Sequence, residues 1–147
     1  MFSVPTRIRY ALRALIRLRS HDPASGPLAL HQIAHDERIS VKYLESIFTQ
    51  LRRAGIVHSI RGAEGGYLLA RPASDVSILT IIEAVEGPLI TVDCLQHPER
   101  CPQKSVCRTY SLWDELQAQL ESFFSGKTLE TLSTCHVGEI ASQGRKA

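Results

Sequence analysis

The chain lacks a long apolar run, a nucleotide-binding loop and a catalytic pair, and each absence removes a class of function. No window approaches the roughly 18 unbroken apolar residues that a membrane helix needs. The opening residues Met1 to Tyr10 are interrupted by Arg7 and Arg9, which leaves no apolar core for a secretory signal. A cytoplasmic protein with no membrane partner is expected. Gly62, Gly65 and Gly66 match neither the dinucleotide fingerprint nor the phosphate loop with its lysine. No credible nucleophile–base pair and no substrate-binding motif appear, so neither an enzyme nor a small-molecule substrate is expected. Internal repeats and low-complexity stretches are missing too.

What is there reads as one ordinary globular domain, or one domain with a small appendage. The 147 residues are 44% hydrophobic and 22% charged, as soluble chains usually are. The net charge of +2 hides an asymmetry. Residues 1–75 carry 11 Lys and Arg against 6 Asp and Glu, whereas residues 76–147 carry 6 against 9. A basic first half beside an acidic second half suits a protein whose first half meets a polyanion. Five of the arginines sit on one helix, however, where a solvated face would account for them equally well.

Periodicity supplies the order of elements. Ile8, Ala11, Leu12, Leu15 and Leu18 recur at helical spacing, and a loop follows from His21 to Pro27. A short helix carrying Leu30, Ile33 and Ala34 leads through a brief turn over Asp36–Ile39 to Ser40, a fitting N-cap. The next helix buries Leu44, Ile47, Phe48 and Leu51 and ends near Gly55. Its opposite face presents Lys42, Glu45, Ser46, Thr49 and Arg53, with Ser40 and Tyr43 at its N-terminal end. Such side chains suit base edges and phosphates, although a plain amphipathic helix reads the same way. Ile56–Ile60 and Tyr67–Leu69 then alternate as strands around the turn Arg61–Gly66. Helix, helix and hairpin in that order predict a mainly α winged helix-turn-helix with a small β-hairpin wing. Arg61 and Gly62, at the base of the wing, are expected to reach double-stranded DNA, because a narrow minor groove attracts arginine. The wing glycines are expected to admit positive φ angles and to leave the backbone free to approach phosphate closely.

The DNA-binding region is placed at 1–76 and the remainder at 77–147. Ser77 can cap a linker helix bearing Leu79, Ile82 and Val85. A long helix over 109–125 follows a loop at 88–108 and carries Leu112, Trp113, Leu116, Leu120, Phe123 and Phe124. That stripe is wide for so short a chain; a twin helix across a homodimer would cover it, although a core helix within the monomer would read the same way. A short helix around Leu129 and Leu132 and a polar tail end the chain.

The loop holds Cys94, Cys101 and Cys107, separated by six and five residues, while Cys135 lies near the end. It has little periodicity, and Pro98 and Pro102 oppose helix formation. Clustered cysteines in such a chain are more often metal ligands or redox thiols than structural disulfides. An iron–sulfur cluster, zinc, idle thiols and a disulfide switch all remain open on spacing, although the zinc-knuckle spacing is missing. Cys107 precedes the long helix, whose dipole favours a thiolate.

Taken together, Arg9–Leu15, Ile39–Glu45, Leu51–Val57, Arg61–Gly62, Gly65–Leu69 and Ile82–Gly87 resemble the iron–sulfur-dependent regulators of the IscR and NsrR type, the Rrf family. The resemblance runs from Tyr10 to about Leu132. It implies a homodimeric transcription regulator, repressor or activator, with one cluster (2Fe-2S or 4Fe-4S) per subunit on Cys94, Cys101 and Cys107. In IscR-like members a histidine three residues after the last cysteine completes the ligands, but Tyr110 stands there. In NsrR-like members an acidic residue of the partner's first helix does so, but Arg9 stands at that position. His97, His35, Glu37, Cys135, His136 or a small molecule are left as fourth ligands. A cluster-free thiol-switch regulator and a small iron–sulfur electron carrier are the competing readings.

Overall fold

The computed structural model describes residues 3–134. Seven helices and one hairpin follow in the order α1 (Thr6–Arg19), α2 (Leu30–Glu37), α3 (Val41–Arg53), β1 (Val57–Ile60), β2 (Gly66–Leu69), α4 (Ile78–Glu86), α5 (Asp93–Gln96), α6 (Tyr110–Ser125) and α7 (Leu129–Thr134). This is the mainly helical winged helix-turn-helix that the sequence predicts, with its long C-terminal helix.

Packing follows the apolar faces. Leu44, Ile47, Phe48 and Leu51 of α3 are fully buried, as expected from their spacing. They meet Ile8, Ala11, Ala14, Leu15 and Leu18 of α1 and Ile33 and Ala34 of α2 in one core. On α4 the expected stripe shifts: Ile78, Ile81, Ile82 and Val85 are buried, whereas Leu79 is only half-buried. A helix that is apolar on most sides gives period-counting little to choose between, and tertiary contact with α1 and α3 decides. Leu129 of α7 also enters this core, so the chain returns to its N-terminal half after α6. The return is tied by Ile78 N–H donating to Lys127 O and Leu129 N–H donating to Val76 O, both at 2.9 Å.

Caps close the helix-turn-helix. The Ser40 hydroxyl accepts from Tyr43 N–H at 3.1 Å, and Ser77 does the same for Thr80 at the start of α4. Between α2 and α3 the chain turns through Arg38 at φ 55°, a left-handed conformation uncommon for arginine and without a local signal.

The hairpin is antiparallel, pairing Val57 with Leu69 and Ile60 with Gly66. A single bridge between Leu28 and Tyr67 adds a third strand position on its far side. This bridge corrects the expectation for the glycines. Of the three wing glycines only Gly62, at φ 124°, has a positive φ, and open space surrounds it. A side chain at Gly65 would strike the backbone of Ile60 and Gly62, and one at Gly66 the backbone of Leu28 and Ala29. Those two glycines serve close packing within the chain.

Candidate nucleic-acid interface and cysteine loop

The polar face of α3 points outward beside the hairpin turn, and an open cleft of about 480 Å³ separates them. Val41, Glu45, Ile60, Arg61 and Gly62 are among its lining residues. The nine residues expected at this surface differ in what they have free to offer. Lys42, Glu45, Arg53 and Arg61 are exposed and form no ion pair among the described residues. Ser40, Ser46 and Thr49 already use their hydroxyls on their own helix: Ser46 donates to Tyr43 O and Thr49 to Glu45 O, each at 2.8 Å. The ring of Tyr43 meets Tyr10 of α1 edge-on, with centroids 5.8 Å apart. Gly62 is exposed at the turn.

Much of the basic charge on α1 is spent internally. Arg13 pairs with Glu37 at 3.0 Å and Arg17 with Asp36 at 2.7 Å, clamping α1 to α2. Arg7 donates to Ser46 O at 3.3 Å and so reaches α3. The Arg17 guanidinium, followed by the Gln32 amide, holds the Asp36 carboxyl below its ordinary range. The asymmetry between the two halves of the chain is therefore partly structural, which net charge alone could not separate from a surface patch.

The cysteine segment is more ordered than its composition suggests. It begins with α5, where Asp93 opens a single helical turn containing Cys94, and continues through 3-10 turns at Pro98–Arg100 and Lys104–Val106. Pro98 starts one of those turns instead of breaking structure, since proline suits a first helical position. Cys94, Cys101 and Cys107 are half-buried and free of disulfides. The Thr109 hydroxyl lies 3.4 Å from Cys107 Sγ and, with the Thr109 and Tyr110 amides, draws that thiol below its usual range. The effect expected from the helix dipole thus arrives chiefly as hydrogen bonds at the helix entrance.

Three thiols with no disulfide among them, one shifted towards thiolate, fit a soft metal or iron–sulfur group in donor chemistry. Their positions do not yet fit: among the described residues no three His, Cys, Asp or Glu side chains gather at metal-binding distance. Of the other candidate ligands, His97 lies in the same loop, 3.4 Å from Glu99, and is half-buried. Glu37 is held by Arg13, and His35 lies beside Asp36 on α2. Arg9 donates to Thr6 at 2.9 Å, and Tyr110 is half-buried at the start of α6. Cys135 and His136 lie outside the described residues.

A family model described as "Rrf2: Iron-dependent Transcriptional regulator" matches residues 4–134. The chain belongs to the Rrf2 family. This Rrf2 protein is 37% identical over 124 residues to the HTH-type transcriptional regulator IscR of Yersinia pseudotuberculosis serotype O:1b (strain IP 31758), spanning 84% of this chain and 74% of that one. It resembles the structure of CymR (YrzC), the global cysteine regulator of B. subtilis, with a TM-score of 0.72 and 34% identity over 91% of this chain and 98% of that one. T. potens IscR gives a TM-score of 0.71 and 30% identity over 99% of this chain and 93% of that one. This Rrf2 protein is accordingly a helix-turn-helix transcription regulator and not an enzyme. No described helix is long and apolar enough to cross a membrane.

Proposed function

We propose that this Rrf2 protein is a cytoplasmic homodimeric regulator, acting as a repressor, whose affinity for double-stranded DNA follows the state of its cysteine loop. The observation that carries this reading is the free polar face of α3 standing across one open cleft from the hairpin turn. In a DNA complex α3 enters the major groove, with Lys42 and Arg53 on phosphates and Glu45 at base edges. Ser40, Tyr43, Ser46 and Thr49 line the approach, and the turn at Arg61–Gly62 follows the minor groove. Thr49 and Ser46 can still accept from base amines, but must give up their internal bonds to donate to a phosphate or a base acceptor. Two such heads bind half-sites roughly 34–36 Å apart, a spacing the paired α6 helices set.

The sensory role is assigned to an iron–sulfur cluster that Cys94, Cys101 and Cys107 would hold once their sulfurs are brought together. When bound, the cluster supplies a redox- and iron-sensitive link among three points of the loop. The protein's own part is to bring the sulfurs together, which α5 and the two 3-10 turns must rearrange to do. A thiol switch without a cluster is the second reading, favoured by the hydrogen-bonded Cys107 and by similarity to CymR. Anaerobic purification with iron counting and an ultraviolet–visible spectrum separates them. Broad absorption at about 320–420 nm that disappears in a triple Cys→Ala variant supports the cluster. Colourless, iron-free protein after reconstitution leaves the thiol switch.

A further inference from the structure

We propose that Gln117 is the positioning residue that fastens the cysteine loop to α6 and carries the state of the loop into that helix. The inference rests on the reading of the loop as the sensory element. Gln117 sits half-buried in the middle of α6 and makes three hydrogen bonds with its amide. Its Oε1 accepts from Thr91 N–H at 2.9 Å, and its Nε2 donates to Leu89 O and to Glu121 Oε1, the latter at 2.6 Å. An amide side chain has two donor hydrogens and a carbonyl with two lone pairs, so both donors and one of the two acceptor sites are engaged. Two of the three bonds hold backbone of the segment that leads directly into Cys94.

The other end of the loop is fixed to the same helix. Cys107 stands three residues before α6 and is bonded to Thr109. Gln117 and Tyr110 are seven residues apart, so the two attachment points lie about 10 Å apart along one axis. Between them runs the whole cysteine segment. Fixing both ends lowers the entropic cost of gathering three sulfurs, because loop closure is largely prepaid. It also means that any tightening of the loop pulls on α6 at two defined places. Thr91 adds a second observation: its Oγ1 is buried without a hydrogen-bond partner among the described residues, beside the amide that Gln117 holds. A buried hydroxyl without a partner carries a desolvation cost in this arrangement, which a rearrangement of the loop that satisfied it would relieve.

The first arm of the test uses full-length reduced protein with no iron and no DNA. Gln117→Met preserves length and apolar stem but removes all three bonds. Losing two bonds to loop backbone should speed amide exchange at Thr91 and alkylation of Cys94 by iodoacetamide by roughly 5- to 150-fold. The double variant Gln117→Glu with Glu121→Gln restores the acceptor for Thr91 N–H without the donor to Leu89, and should fall in between. In DNA-binding assays the ratio of affinities between the two loop states should shrink towards 1 in Gln117→Met, with the reduced iron-free protein binding as wild type. Exchange and alkylation within about twofold of wild type would overturn the attachment. An unchanged affinity ratio beside faster exchange would overturn the coupling. Exchange and alkylation need neither DNA nor iron, so failure of the DNA-binding reading would show separately, as absent binding by wild type.

Discussion

Removing the Phe123 ring should weaken the dimer while leaving the subunit folded. Phe123 is 58% exposed and Leu112 is 56% exposed, and no residue of α6 is fully buried. The two lie eleven residues apart, close to three helical turns, so with Leu116 they form one outward apolar stripe. Burying a whole phenylalanine side chain stabilises by about 1.5–3 kcal/mol. Since 58% of this residue is open, pairing would recover about 0.9–1.7 kcal/mol per ring. A two-fold interface uses each ring twice, which gives about 2–3.5 kcal/mol for the dimer. Phe123→Ala should thus raise the dimer dissociation constant roughly 20- to 400-fold by sedimentation equilibrium. Within the subunit the ring gives up an edge contact with Phe124, centroids 5.3 Å apart, and the Lys127 ammonium at 5.8 Å, and it takes no part in the buried core. The circular dichroism spectrum should therefore persist. An unchanged dissociation constant, or a wild-type protein that is monomeric at high micromolar concentration, would refute the assignment of α6 as the interface.

Three further outcomes follow from individual residues. Lys42→Ala should weaken binding to all DNA sequences alike and reduce the slope of log affinity against log salt by about 1 per subunit, read by fluorescence anisotropy. Gly66→Ala should destabilise by about 1–3 kcal/mol in urea unfolding, because the new methyl meets the immobile backbone of Leu28 and Ala29. Asp36→Asn should lower the thermal midpoint at neutral pH. The Asp36 carboxyl, bonded first to Arg17 and then to Gln32, has its folded-state value depressed, so its stabilisation is present above the unfolded carboxylate range and fades as acid protonates it. Melting curves for wild type and variant should converge on acidification; a constant gap would remove the ion pair as the cause.

The helix-turn-helix was legible because each of its signals is local. The spacing of Leu44, Ile47, Phe48 and Leu51, the Ser40 cap and the alternating residues after Gly55 all act within a few positions. The stripe on α4 was harder to read, since Ile78 and Ile81 are buried through contacts with helices remote in sequence. The Leu28–Tyr67 bridge left no pattern at all, because a single backbone pairing asks nothing of side chains. Gly66, read as a flexible turn residue, is required by that unseen bridge. Likewise Gln117 looks like any surface residue of a helix until the loop is found lying across it. At the interface, the sequence names the polar face of α3 but not which hydroxyls are already engaged, since that depends on rotamers. The arginines of α1 show the same limit: charge is legible, but partners are not.

The central claim is that the cysteine loop governs DNA affinity. Its most direct measurement compares wild type with the triple variant Cys94→Ala, Cys101→Ala, Cys107→Ala on DNA from upstream of the protein's own gene. Each is titrated anaerobically, as reconstituted protein and again after iron removal. The account predicts that both proteins bind this DNA more tightly than a scrambled sequence, that wild-type affinity differs between the two states, and that the variant shows one affinity in both. Equal wild-type affinities in the two states, or a variant that still responds to iron removal, would contradict it.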